Sequence, residues 1–208
     1  VEGVPGFDKV VFISAQDFPL LPNPALKRAL DRWHGSELID CVAAAPDGWA
    51  CQERYQYFHS PGGGRYARLA CKALARGMRC LGLRRTMVDG MRPFGGSTWW
   101  ALSRPCVAMI LARVAANPAL ERFFRTVSCP DELFFQTLVM DSPFAPKVVP
   151  NNFRYVVWPG SAARNPKILD AGDFPGIARS DAHFCRKLDP AASAELLPML
   201  EQLRQQRI

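Results

Sequence analysis

With 208 residues, 49% apolar and 22% charged, the chain has the makeup of one globular domain with a real hydrophobic core. That composition excludes a disordered, collagen-like or repeat protein, and the longest apolar stretch, Val107 to Ala116, is broken by Arg113 and too short to span a bilayer. A net charge of +7 and a pI near 9.2 favour anionic partners: nucleic acid, acidic lipid or a phosphorylated substrate.

The first element is Lys9 to Ser14, a short β-branched run that reads as a buried strand. Three prolines between Gln16 and Pro24 mark a loop at its end, and Pro24 then suits the first turn of a helix capped by Asn23 and running to Trp33. Leu38 to Val42 reads as a second strand, and Ala43 to Gly64 as a long loop region without period. Arg65 to Arg79 has a helical pattern. Arg65, Arg68, Lys72, Arg76 and Arg79 form one basic stripe, with Tyr66, Leu69, Ala70, Ala73, Leu74 and Gly77 on the opposite side. Thr98 to Leu102 reads as a strand, followed by helices over Pro105–Ala116, Pro118–Phe124 and Pro130–Met140. Phe153 to Trp158 is a further strand, Ala171 to Ala178 a short helix and Ala191 to Gln206 an amphipathic terminal helix. Strands alternating with helices predict an α/β domain with a mixed, largely parallel sheet flanked by helices, spanning residues 1–208 as a single domain.

Seven cysteines are scattered without a CxxC spacing, which predicts mostly free thiols and a reducing, cytoplasmic setting. The three histidines do not pair with them at zinc-ligand spacing. Gly62-Gly-Gly64 is not a phosphate loop, because no GK[ST] follows. Cys129 has no histidine in a motif with it, which argues against a thiol nucleophile.

Five segments carry a family resemblance: Phe12-Ile-Ser-Ala-Gln-Asp-Phe-Pro-Leu20, Gly95-Gly-Ser-Thr-Trp-Trp-Ala-Leu-Ser-Arg104, Ser128-Cys-Pro-Asp-Glu-Leu-Phe-Phe-Gln-Thr137, Phe153-Arg-Tyr-Val-Val-Trp158 and Phe184-Cys-Arg-Lys-Leu-Asp189. In this order they resemble the core-2/I-branching β-1,6-N-acetylglucosaminyltransferase family, which includes peptide O-xylosyltransferases. The resemblance covers nearly all of this chain but only the later part of the family domain, whose first strand–helix segment has no counterpart here. It implies a GT-A-like fold and an inverting glycosyltransferase that moves N-acetylglucosamine, xylose or glucuronic acid from a UDP-sugar to a hydroxyl of a glycan or other acceptor. It implies no cofactor and no metal, and the sequence contains no Asp-x-Asp motif.

Residue by residue, the resemblance makes Glu132 the general base, the one carboxylate that inversion requires. It sets Lys187, with Arg164 and Arg186, against the diphosphate of the leaving group. Asp17 has two open readings, a donor contact or a cap for the proline-rich turn. Trp158, Glu53, Arg54, Ser97 and Trp99 are the candidates on the acceptor side; strand alternation directs one of Trp99 and Trp100 inward and the other toward a cleft or surface. Acids at a helix start also have a structural role against the helix dipole, the reading for Asp131.

The basic stripe has three readings: a solvated face, peripheral contact with an anionic membrane, or nucleic-acid binding. Tyr66 is the one aromatic residue between Arg65 and Arg79, so nucleic acid is not expected. A Golgi lumen location would follow if the chain were eukaryotic. The rival reading of the whole chain is a non-catalytic fold relative that binds anionic glycan, lipid or nucleic acid through its basic surface.

Overall fold

Short apolar runs closed by turns, between helices opened by proline, give the expected mixed α/β architecture. The computed structural model describes residues 6–207 except Pro46, Asp47, Ala50, Pro61, Ser161, Ala162 and Arg164. In chain order the elements are β1 (Lys9–Val11), β2 (Phe18–Pro19), α1 (Asn23–Asp31), β3 (Glu37–Ile39), β4 (Val42–Ala43), α2 (Glu53–Gln56), α3 (Arg65–Cys80), β5 (Phe94–Gly95) and β6 (Trp100–Ser103). There follow α4 (Arg104–Ala116), α5 (Pro118–Phe124), α6 (Phe134–Met140), β7 (Val148–Val149), β8 (Arg154–Val156), α7 (Phe174–Arg179), β9 (Phe184–Arg186) and α8 (Leu196–Gln206). Among the described residues no helix is long and apolar enough to cross a membrane.

The chain divides into two compact units, one from residues up to Val10 with Gly35–Asn151, the other from Val11–His34 with Asn152 onward. The first unit is built on the sheet β1-β6-β3-β7. Strand β3 pairs antiparallel with β6, Ile39 opposite Trp100, and parallel with β7, Leu38 opposite Val149. All three residues of β3 are buried, including the carboxylate of Glu37. Glu37 accepts hydrogen bonds from the Ser103 amide at 2.7 Å and the Ser103 hydroxyl at 2.5 Å. Ser103 also caps α4 by accepting from the Cys106 amide, so one side chain ends β6, starts α4 and satisfies a buried acid. A run of edge-on rings closes the core: Phe124 on Phe134 at 5.0 Å, Phe134 on Phe135 at 5.1 Å, and Phe135 tilted on Trp100 at 4.8 Å.

The second unit holds the sheet β2-β9-β8. Strand β9 runs antiparallel to β2, Phe18 opposite Cys185, and parallel to β8, Tyr155 opposite Cys185. Its core of Leu20, Leu169, Ile177, Cys185, Leu196 and Leu200 is fully buried. Arg207 closes the end of α7, donating to the carbonyls of Ala178 at 2.8 Å and Ser180 at 3.0 Å.

Several expected boundaries shift for identifiable reasons. The first strand ends at Val11, and Phe12 and Ile13 are exposed rather than buried, because the chain turns where Asp17 accepts from the Ser14 amide and hydroxyl. Pro22, not Asn23, holds the cap position of α1, and Asn23 lies inside the helix. The expected helix over Pro130–Met140 is interrupted: Pro130–Glu132 is a single 3-10 turn, and Leu133, at φ −129°, separates it from α6. Trp99 and Trp100 are both buried, against the expectation that alternation would turn one outward, since β6 begins only at Trp100 and is enclosed along its whole length. The four-residue helix α2 interrupts the stretch expected to be loop.

All seven cysteines are free thiols. Burial pushes Cys41, Cys106 and Cys185 up to about 12 and Cys51 up to about 11, while Cys80 and Cys129 are exposed.

In the second unit His183 is buried and stacked on Phe153 at 4.3 Å and 5°. Burial lowers its pKa below the ordinary 6.5, and the charges of Arg32 and Arg154 act in the same direction against Asp181. The unfolded state therefore binds the extra proton first. The contribution of the neutral ring is complete above pH 6.5 and is lost as pH falls through the lowered value. Urea unfolding of the wild type is expected to show falling stability from pH 7 toward pH 5, and His183→Phe should flatten that slope; an unchanged slope would count against the buried neutral ring.

Candidate active site

The segment Gly95–Arg104 and the turn Pro130–Glu132 meet in the first unit through backbone and side-chain bonds. The Gly96 amide donates to the Glu132 carbonyl at 3.0 Å. Thr98 donates to the Asp131 carboxylate at 2.7 Å, and Gln136 donates to the Ser97 carbonyl at 2.7 Å. The Thr137 hydroxyl accepts from the Phe94 amide and donates to the Phe94 carbonyl, both at 3.1 Å, so α6 is stitched to β5. Cys129, just before the turn, holds a left-handed conformation at φ 49°, an unusual one for a residue with a Cβ and one that fixes the entry into the turn.

Glu132 projects from this turn and forms an ion pair with Arg54, each side chain about one-third exposed, at 31% and 33%. The bond engages Oε2; among the described residues Oε1 has no hydrogen-bond partner. Arg54 extends from α2 and lies over the Trp49 ring, 4.7 Å from its centroid. Burial works against the Arg54 charge, but the hydrogen bond and charge of Glu132 outweigh it and raise the guanidinium pKa. Trp49 reaches this place because Gly95 has no side chain: a Cβ there would lie 1.6 Å from the indole ring. A Cβ on Gly96 would lie 2.0 Å from the Asp40 carbonyl oxygen. Two adjacent glycines are thus required by close approach.

The other sequence-derived candidates are distributed as follows. Ser97 is half-buried, and Trp99 is 9% exposed. Glu53 is exposed and pairs with Arg79 at 3.0 Å. Trp158 belongs to the second unit and is 58% exposed. There the Asp17 side chain is fully buried; it accepts from Ser14 and from Arg154 Nε at 3.3 Å, with Arg186 Nε at 3.7 Å. The bonds from Ser14 are those of a turn cap. Lys187 is half-buried next to Leu188, whose amide donates to the Gln16 carbonyl at 3.0 Å. Arg164 lies outside the described residues. Asp170 and Asp173 cap their own turn and pair with Lys167. Sequence reasoning missed Trp49, Arg154 and Glu37. An isolated tryptophan in an aperiodic loop carries no local signal, whereas an arginine inside an apolar strand and an acid beside one were visible oddities.

Beside Ser128 lies a groove of about 730 Å³, its lining including His59, Arg68, Lys72, Arg76 and Arg79. Arg79 is stacked on the Tyr57 ring at 4.2 Å. Beyond the stripe, the Arg85 guanidinium lies 4.2 Å from the rings of both Phe58 and Phe123.

Sheets of parallel and antiparallel strands flanked by helices are consistent with a GT-A-like fold. The chain belongs to the core-2/I-branching enzyme family, whose sequence profile matches residues 3–178, and this is a family of glycosyltransferases. It is 21% identical over 97% of its length to xylosyltransferase sqv-6 of Caenorhabditis briggsae and 24% identical over 94% to xylosyltransferase 1 of Canis lupus familiaris. It is 26% identical over 57% of its length to xylosyltransferase oxt of Drosophila melanogaster. The chain spans only 26%, 21% and 16% of those proteins respectively, about a quarter or less of each.

Gly95→Ala is expected to force the Trp49 ring aside and lower unfolding free energy by about 1–3 kcal/mol, the usual cost of overpacking. Urea denaturation measures this, and a loss below about 0.5 kcal/mol, the scale of a neutral surface change, would show that the ring is not wedged against the backbone.

Proposed function

We propose that the chain is the transfer domain of an inverting, metal-independent glycosyltransferase that moves a sugar from a UDP-sugar to an acceptor hydroxyl. The observation that carries this reading is the state of Glu132 in a chain of this family. Its carboxylate is anchored through Oε2 by Arg54 and leaves Oε1 without a partner among the described residues. A general base needs this arrangement: one oxygen fixes the side chain while the other takes the proton from the attacking alcohol. Arg54 then supports the base as well as serving the acceptor side.

In this reading Lys187 and Arg164, with Arg186 as a third cation, neutralise the departing diphosphate, the task a metal performs in other transferases. Asp17 supports the donor side indirectly, through the Arg154 and Arg186 side chains it holds. Trp158, Glu53, Ser97 and Trp99 complete the acceptor side, Trp158 offering an exposed ring for stacking on a sugar. The acceptor is a glycan or glycoconjugate. We take xylose, N-acetylglucosamine and glucuronic acid as the candidate donor sugars, xylose being supported by the names of the relatives.

Glu132→Gln keeps the shape of the side chain and removes its basicity. It is expected to lower turnover of a UDP-sugar by at least about 100-fold, as loss of a general base does, while UDP binding by calorimetry stays near the wild-type value. Retention of most of the rate would refute the assignment of the base. Activity is also expected to survive EDTA, and a strict requirement for manganese would overturn the role given to the basic side chains. Absence of UDP binding alongside tight, salt-sensitive polyanion binding would instead favour a non-catalytic relative acting through the basic groove.

A further inference from the structure

Helix α3 touches its own unit with one narrow face. Of its 16 residues only Ala75 is buried, with Cys71 and Met78 half-buried beside it. At about 100° per residue, Tyr66, Leu69, Ala70, Ala73 and Gly77 face away from that contact and Leu74 borders it, all six forming one exposed arc. The large members of the arc are 84% (Tyr66), 54% (Leu69) and 49% (Leu74) accessible, and Leu81 and Leu83 extend the apolar surface just past the helix at 74% and 55%. An apolar surface of this extent on a single helix calls for a cover.

The flank of the same helix is cationic. Residues 65–88 contain no acid, and among the described residues Arg68, Lys72 and Arg76 have no ion-pair partner. Arg65 and Arg84 are exposed at the two ends of the segment. A merely solvated face accounts for the charges but not for the leucines. Nucleic acid would engage the charges and leave the apolar arc in water. A second copy of the chain would bring two basic stripes together.

We propose that α3 is an in-plane membrane helix, docking the protein on a bilayer that carries anionic lipids. The apolar arc enters the acyl boundary, and Arg68, Lys72 and Arg76 on its flank meet the headgroup phosphates. One surface thereby satisfies both halves of the amphipathic pattern. The proposal does not rest on the transfer reaction, and its test uses no sugar donor.

The experiment is co-sedimentation of the full chain with vesicles of phosphatidylcholine alone or mixed with phosphatidylglycerol. Wild-type protein should pellet with the anionic vesicles and remain in solution with the neutral ones. Neutralising two charges, in Arg68→Gln/Lys72→Gln, should weaken partitioning roughly 30-fold. Leu69→Ser/Leu74→Ser should weaken it by about tenfold or more through lost acyl contact, with circular dichroism confirming that both variants keep their helix content. Wild-type protein that ignores anionic vesicles would overturn the proposal without any variant. So would binding that depends on the arginines but is indifferent to the leucines, which would mark a plain polyanion groove. Leucine-dependent dimerisation in light scattering, without vesicle binding, would assign the face to a second copy instead.

Discussion

The candidate site depends on the way Arg54 is held between the Glu132 carboxylate and the Trp49 ring. A glutamate on a short turn has free torsions and no reason to point one way; a guanidinium fixed on its other side by an indole supplies that reason. The arrangement reaches back through the backbone. Trp49 can lie where it does because Gly95 has no side chain, and Gly95 is positioned by its pairing with Val42 and by the Thr137 hydroxyl bonded to Phe94. The position of the proposed base is therefore set by close packing as much as by charge.

The five sequence motifs sort into two groups that the linear order does not reveal. Residues of three of them, around Asp17, Arg154 and Arg186, supply the strands of the small sheet in the second unit. The other two, around Gly95 and Glu132, clasp each other in the first unit. Family membership, the mixed architecture and the helices opened by proline were legible because hydrophobic period and capping chemistry are local. Helix α5 matches its expected bounds for that reason. The break at Leu133 and the strand β9 were not legible. The first depends on Glu132 and Gly96 bonding across the unit, and the second on pairing with β2, more than a hundred residues away in sequence, as well as with β8.

Acids show the same limit. Glu37, Asp17 and Glu132 are each a carboxylate near an apolar run, and neither period nor composition along the chain separates their surroundings. The structure separates them by what surrounds them. Glu37 is wholly buried and bound by Ser103, the Asp17 side chain is wholly buried and bound by Ser14 and Arg154, and the Glu132 side chain is one-third exposed with a single anchored oxygen. The first two support the backbone; the third faces solvent from a rigid base. Exposure, which depends on tertiary packing, decides the distinction.

The seven thiols bear on where such a fold can exist. No covalent bridge joins any part of it, and four of the sulfurs are shut away as protonated, weakly reactive groups. An oxidising lumen and a reducing cytosol would therefore meet the same folded molecule. Cys80, at the end of a helix, and Cys129, at the entry to the Glu132 turn, are the exposed thiols, with Cys71 half-buried on α3. The second of these places the carboxylate turn within range of chemical damage from which the core is sheltered.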